Sequence, residues 1–230
     1  MFANFDFDVI RRSLGYLFLD GMTFTLMLTA LATFGGIVFG TLIALMRLSG
    51  YRLIGHIAGL YVDLIRSLPL VLVIFWFYFL VPYVGQWLTG SSRPLPVGAF
   101  TSSLVTFIMF EAAYFSEIMR AGIQSISKGQ LAAAQALGLN YSQTMRYVVL
   151  PQAFRNMLPV LLTQAIVMFQ DTSLVYVVSI TDFLGAASNV AQRDGRLVEM
   201  YLFAAVVYFA ISGFASFGVR RLQSRIAIVR

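Results

Sequence analysis

Three acidic side chains, Glu111, Glu117 and Asp171, fall inside long apolar stretches of the sequence. An ionisable group near the centre of a bilayer costs about 2.5 to 3.5 kcal/mol on insertion scales, so it is rarely kept without a function. Acids of this kind line transport pathways or join helices through hydrogen bonds. They are the first candidates for chemistry in this chain.

Asp171 has the most polar surroundings of the three. It is flanked by Gln170, Thr172 and Ser173, and Gln164 lies seven residues earlier on the same helical face. We interpret this group as lining a path for a polar solute. The alternative is an interhelical hydrogen-bond cluster that fixes helix packing.

The two glutamates lead to different expectations. Glu117 lies close to the predicted inner end of its apolar stretch, where Arg120 can pair with it across one helical turn, so we favour a structural role. Glu111 lies near mid-depth, and both a packing role and a role in the path stay open for it.

Catalytic motifs find little support. The sequence has no Gly-x4-Gly-Lys-Ser/Thr loop to cradle phosphates, so we do not expect this chain to hydrolyse ATP. It has no Gly-x-Ser-x-Gly nucleophile turn and no cysteine. His56 is the one histidine, and without neighbouring ligands it is better explained as an interfacial residue than as a metal ligand. We therefore expect no enzyme activity and no metal or cofactor bound by this chain.

The composition is that of a membrane protein. Apolar residues make up 59% of the 230 residues and charged residues 11%, whereas soluble domains carry about a quarter charged residues. The mean hydropathy is +0.82. A net charge of +6 could suggest nucleic acid, but the basic residues are spread over segment ends rather than forming one basic face. The first 20 residues lack the pattern of a removable signal peptide, so we expect them to stay.

Apolar runs of spanning length predict an all-helical membrane protein with about five transmembrane helices in a single transmembrane domain over residues 1–230. The predicted spans are residues 22–46, 68–84, 99–119, 158–181 and 197–219. Most of the 16 Arg and Lys residues lie on the inner side if the N-terminus is outside. The positive-inside rule therefore predicts an N-out, C-in orientation.

The predicted connections have features of their own. Residues 53–67 form an amphipathic helix at the inner surface, in which Asp63 and Arg66 can pair. Pro69 and Pro82 bound the short second span. Residues 89–97 hold several Gly, Ser and Pro residues, which predicts an external loop.

The longest inner segment, residues 122–156, is called the inner loop below. Ser127 and Gln130 fit a capping box that opens an alanine-rich helix over residues 128–137, and Gly138 supplies its left-handed C-cap. A second helix starts at about Ser142, and Pro151 is expected to stop it. The pattern predicts either a docking element for a partner or a hairpin that only holds two spans together.

The spacing within the inner loop resembles a known family. Residues 132–138 (AAAQALG), followed after nine residues by Val148-Val149-Leu150-Pro151, are similar to the EAA loop of ABC importer permeases. One departure is Ala132, which stands where that family commonly has glutamate. Residues 65–70, 110–123 and 169–174 extend the resemblance to the polar amino acid branch, and within it most closely to the glutamate/aspartate permeases.

This resemblance implies a type I ABC importer permease fold with a cytoplasmic coupling helix, in a bacterial inner membrane. The implied partners are two ATP-binding subunits that hold ATP and Mg²⁺, a periplasmic substrate-binding protein, and a second permease subunit that is homologous or a copy. No nucleic acid is expected, and lipid surrounds the chain. The residues implied to couple to the ATPase are Ala132, Ala133, Ala134, Gly138, Leu150 and Pro151.

An acidic substrate conflicts with acids in the path, because ionised Asp171 or Glu111 would repel it. Cations, hydroxyl groups and helix N-termini suit it better, and the available groups include Arg66, Thr172 and Ser173. The substrate-path candidates are thus Asp171, Thr172, Ser173, Gln164, Glu111 and Arg66. Arg193 and Arg196 are better explained by a solvated loop.

Two alternatives to an ATP-driven importer subunit stay open from the sequence. One is an ion-coupled secondary transporter that uses Asp171 and Glu111 as ion sites. The other is a membrane scaffold whose inner loop only recruits a partner.

Overall fold

The computed structural model describes residues 5–226, which form helices and connecting turns with no strand among them. Numbered in chain order, the helices are α1 (Phe7–Leu48), α2 (Arg52–Arg66), α3 (Leu70–Thr89), α4 (Ala99–Gln124), α5 (Lys128–Ala136), α6 (Tyr141–Val178), α7 (Phe183–Asp194) and α8 (Leu197–Ile226).

Five of these helices, α1, α3, α4, α6 and α8, are long and apolar enough to cross a membrane. The predicted all-helical class with five spans is confirmed. The helices extend beyond the predicted spans, most of all α1 and α6, because a hydropathy scan detects only their apolar parts. At its polar start, for example, α1 is capped by Asp6, whose Oδ1 accepts from the backbone N–H of Asp8 at 2.9 Å.

Pro82 and Pro151 do not end helices, contrary to the sequence-based expectation. A π-helical turn precedes each proline, over Trp76–Leu80 and Met145–Val149. The N–H of Val81 bonds to the carbonyl of Trp76, and that of Leu150 to Met145, so both turns close with i+5 bonds. A proline lacks an N–H and its ring clashes with the carbonyl four residues earlier. The wider π turn rearranges those carbonyls, so the helix continues.

The helical residues group into two compact units. The first holds the chain up to Phe34 with Leu68–Ile108 and Ile166–Ala215. One apolar cluster in it joins α1, α7 and α8 through buried Leu17, Phe183 and Met200.

The second unit holds Gly35–Ser67, Met109–Ala165 and the chain from Ser216. In it, α1 packs closely on α4 through Gly36 and Gly40, which lie one turn apart. A Cβ added at Gly36 would lie 2.6 Å from the Cβ of Glu111, and one at Gly40 would lie 2.8 Å from the Cβ of Phe115. Small residues at this spacing let two membrane helices approach backbone to backbone.

We expect Gly40→Ala to destabilise the protein by about 1 to 3 kcal/mol, because the added methyl group overpacks the α1–α4 contact. Gly218→Ala in α8 is the matched control, since nothing lies within 4 Å of a Cβ there. Thermal unfolding in detergent should show a lower midpoint for the first variant only. Equal midpoints for both variants would contradict the close packing at Gly40.

Candidate functional site

The turn that ends α5 matches its prediction. Gly138 has φ of 78°, the left-handed conformation that favours glycine. The N–H of Leu139 donates to the carbonyl of Ala134 at 3.1 Å, and that of Gly138 to Gln135 at 2.9 Å. The bond from Leu139 to Ala134 is the one that defines a Schellman motif, so the backbone of this turn itself satisfies the carbonyl groups at the end of α5.

The start of α5 differs from its prediction. The Ser127 side chain makes no cap bond, and the N–H of Gln130 donates to the Ser127 carbonyl at 3.1 Å instead. The Gln130 side chain is bound to Gln152 at 2.7 Å, so it does not reach back to form a capping box. A capping box is found at the start of α6, where Asn140 and Gln143 exchange bonds of 2.9 and 3.0 Å.

The inner loop turns one face inward and leaves another exposed. Ala134 is buried, and buried Ile126, Val149 and Ala153 form an apolar cluster in the same unit. The other coupling candidates are exposed, namely Ala132, Ala133, Gly138, Leu150 and Pro151. Beside them Leu137 is 82% and Tyr141 is 80% exposed. Small residues next to large exposed apolar side chains are typical of an interaction surface.

Glu117 is the centre of an ion cluster at the ends of three helices. Its carboxylate pairs with Arg120 at 2.6 Å, as predicted, and also with Arg47 of α1. The Nη1 of Arg66 in α2 lies 4.0 Å from it. Each arginine lies in the C-terminal part of its helix, where a cation compensates the negative end of the helix dipole. The cluster therefore joins α1, α2 and α4 electrostatically.

Arg66 does not pair with Asp63, contrary to the prediction. Its guanidinium group lies over the ring of Tyr114, 5.2 Å from the centroid, on the side of the Glu117 cluster. The neighbouring helix α4 thus offers Arg66 both a carboxylate and an aromatic face, which outweigh an exposed partner on its own helix.

The substrate-path candidates fall into both units. In the second unit, Gln164 Nε2 of α6 donates to Glu111 Oε1 of α4 at 3.2 Å, and Glu111 is only 2% exposed. Arg66 belongs to the same unit.

In the first unit, Asp171 ends the α-helical part of α6, and Thr172 opens a 3₁₀ segment that runs to Val178. Thr172 is fully buried, and its Oγ1 donates to the carbonyl of Phe169 at 2.7 Å. Asp171 and Ser173 on either side of it are partly exposed.

Sequence reasoning missed Asp182, a fully buried carboxyl group that caps α7. It accepts from the backbone N–H of Gly185 at 2.8 Å and of Leu184 at 3.1 Å, and the hydroxyl of Tyr208 donates to it at 3.3 Å. Burial raises its pKa to about 6, because desolvation of the charge outweighs these bonds. An aspartate directly before an apolar helical run is the signal that could have revealed it.

Comparison with known proteins decides between the open alternatives. Residues 36–228 match the family described as the binding-protein-dependent transport system inner membrane component. The chain belongs to this family. It is a multi-pass permease subunit of the bacterial inner membrane, a non-catalytic component, and the family implies separate ATP-binding subunits and a substrate-binding protein.

Individual relatives cover the permease almost end to end. It is 52% identical over 224 residues to the glutamate/aspartate import permease protein GltK of Escherichia coli O157:H7, covering 97% of this chain and 99% of the relative. It is 33% identical to the glutamine transport system permease protein GlnP of Escherichia coli K12, covering 98% and 100%.

Solved structures agree with the fold. A crystal structure of an amino acid ABC transporter with histidines matches with a TM-score of 0.86 at 33% identity, covering 96% of this permease and 98% of that chain. The inward-facing MetNI methionine ABC transporter matches with a TM-score of 0.74 at 18% identity, covering 93% and 97%. The predicted importer-permease fold is confirmed, whereas the orientation and the site residues stay predictions.

We expect Glu117→Gln to lower the free energy of unfolding by about 1 to 3 kcal/mol, because it leaves three arginines close together without their carboxylate. Asp63→Asn is the matched control, since Asp63 is exposed and lies outside the cluster. Thermal unfolding in detergent measures both. A Glu117 variant as stable as the Asp63 variant would contradict the role of the cluster.

Proposed function

We propose that this permease subunit imports glutamate and aspartate, with ATP and Mg²⁺ held by two partner ATP-binding subunits. A second permease subunit completes the path, and a periplasmic binding protein delivers the substrate to the outer face. The N-terminus lies outside and the C-terminus inside. The observation that carries the choice of substrate is the 52% identity, over nearly the whole of both chains, to a glutamate/aspartate import permease.

The exposed end of α5 supports its assignment as the coupling helix. Ala132 and Ala133 offer little side-chain bulk, so a partner can approach the helix backbone, while Leu137 and Tyr141 can fill apolar pockets. Ala132 lacks the charge of the usual glutamate. Docking at this position therefore depends on shape and apolar burial rather than on a salt link.

The burial of Glu111 removes one objection to an acidic substrate, because a carboxylate packed between helices does not face the substrate. Glu111 is buried, bonded to Gln164 and packed against Gly36, so we assign it to helix packing rather than to the wall of the path. Asp171 and Ser173 are partly exposed and remain the path candidates of this segment. Arg66 remains a candidate to bind a carboxylate, although its guanidinium group already faces Glu117 and the ring of Tyr114.

ATP drives the import cycle through a shift between two states. Closure of the ATP-binding subunits around ATP displaces α5, and this displacement biases the permease between outward-open and inward-open conformations. ATP can shift that equilibrium only by as much as its binding energy differs between the two states.

The test is uptake by liposomes that contain this chain with its permease partner, its ATP-binding subunits and the binding protein. We expect labelled glutamate and aspartate to accumulate with ATP and not with a non-hydrolysable analogue. Preferential uptake of glutamine would overturn the choice of substrate. Uptake driven by an ion gradient without the ATP-binding subunits would overturn the mechanism and support a secondary transporter.

We expect Gly138→Asp to abolish coupling to the ATPase, which means that stimulated ATP hydrolysis falls by roughly tenfold or more. The chain should still insert into the membrane. A carboxylate on the docking surface would be buried without a partner, which costs several kcal/mol. Gly138→Asn is the matched control, since asparagine adopts the left-handed conformation about as readily as aspartate does but carries no charge. The measurement is ATP hydrolysis stimulated by the loaded binding protein. Normal stimulation of the Asp variant would contradict docking at this turn.

A further inference from the structure

Gln152 lies in α6 shortly after the π turn over Met145–Val149. It follows Pro151, which contributes no N–H to the helix, and its Nε2 donates to the carbonyl of Val148 at 2.8 Å. This bond bridges Pro151, and residues 148–152 are called the proline joint below. The side chain therefore stiffens α6 next to Pro151, where the backbone lacks one hydrogen bond.

The same amide group reaches the neighbouring helix. Gln152 Nε2 also donates to Oε1 of Gln130 in α5, at 2.7 Å. One turn further along α6, Asn156 Nδ2 donates to Oγ of Ser125 at 2.8 Å, just before α5 begins. Two side-chain bonds thus tie α5 and its approach to the same face of α6.

An apolar contact lies between the two ties. Val149 and Ala153 of α6 and Ile126 before α5 are buried in one cluster, which Leu131 of α5 also contacts. A Cβ at Gly122 would lie 3.0 Å from that of Met157, so the end of α4 also fits closely against α6. With this packing, α5 cannot shift against α6 without breaking several contacts at once.

The same helix, α6, also holds Gln164, which makes a polar contact with the buried Glu111. Gln164 lies twelve residues beyond Gln152, which corresponds to about 18 Å along a helix. It donates to Glu111 of α4. Between them, the hydroxyl of Thr163 donates to the carbonyl of Pro159 at 2.9 Å, which supports the helix next to its internal proline.

We propose that Gln152 is a positioning residue for energy coupling, because its amide locks α5 to the proline joint of α6 and so passes movements of α5 to the Gln164–Glu111 contact. The inference rests on the proposed function, in which α5 docks the ATP-binding subunit. A single hydrogen bond of this kind is a small part of the stability of the chain, so losing one should impair transmission without unfolding it.

The test compares Gln152→Met with Gln223→Met in the assembled transporter. Methionine keeps the length of the side chain but cannot donate, and Gln223 is an exposed glutamine of α8. We expect Gln152→Met to lower the substrate transported per ATP by about three- to tenfold, which corresponds to roughly 0.6 to 1.4 kcal/mol. The ATP-binding subunits should co-purify as with the wild type, and the Gln223 variant should transport normally.

A charge pair provides the rescue. Gln130→Lys and Gln152→Glu should each lower the coupling ratio. The two together should raise it above either single variant, since an ammonium group then donates to a carboxylate, but should leave it below the wild type, since a carboxylate cannot donate to the Val148 carbonyl. Failure of the double variant to exceed either single variant would overturn the proposal, as would an unchanged ratio for Gln152→Met.

Assembly separates this proposal from the docking role. Loss of co-purification with Gln152→Met would show a role in docking and overturn the role in transmission. If Gly138→Asp transports normally as well, the docking role of α5 fails, and this inference fails with it.

Discussion

The hydrocarbon core of a bilayer offers no water to an unpaired polar group, and this constraint shapes the whole chain. It explains why α3 continues through Pro82, which lies within the predicted second span and is preceded by a π turn that supplies an i+5 bond. It explains equally why Glu111, within the predicted third span, is bonded to Gln164. In each of these places a hydrogen bond within the chain takes the role that water has outside the membrane.

Ion pairs near the helix ends also stabilise the fold. Glu117 and its three arginines connect α1, α2 and α4 near their C-terminal ends, where the arginines also compensate the negative ends of the helix dipoles. The inner loop belongs to the same unit and follows directly on α4. The ion cluster therefore stabilises the helices from which the inner loop extends, which suits the role proposed for α5 in docking a partner.

The sequence predicted those features that depend on local spacing. Five apolar runs predicted five spans, Gly138 predicted the left-handed turn, and Glu117 with Arg120 predicted an ion pair one turn apart. Arg47 escaped notice because it lies 70 residues from Glu117 and meets it only through packing. The capping box was assigned to Ser127 rather than Asn140 because both fit the local pattern, and only the distant bond from Gln152 to Gln130 distinguishes them. The prolines were expected to end helices because a π turn has no clear sequence signal.

We propose that the exposed end of α5 binds the ATP-binding subunit on the inner side of the membrane. Because the sequence has no cysteine, a single cysteine can be placed without background at Leu137, or at Ser91 in the loop after α3. Cross-linking in the assembled transporter measures the claim directly. We expect a cysteine at 137 to cross-link to the ATP-binding subunit and one at 91 not to do so. Cross-linking from 91, or none from 137, would contradict it.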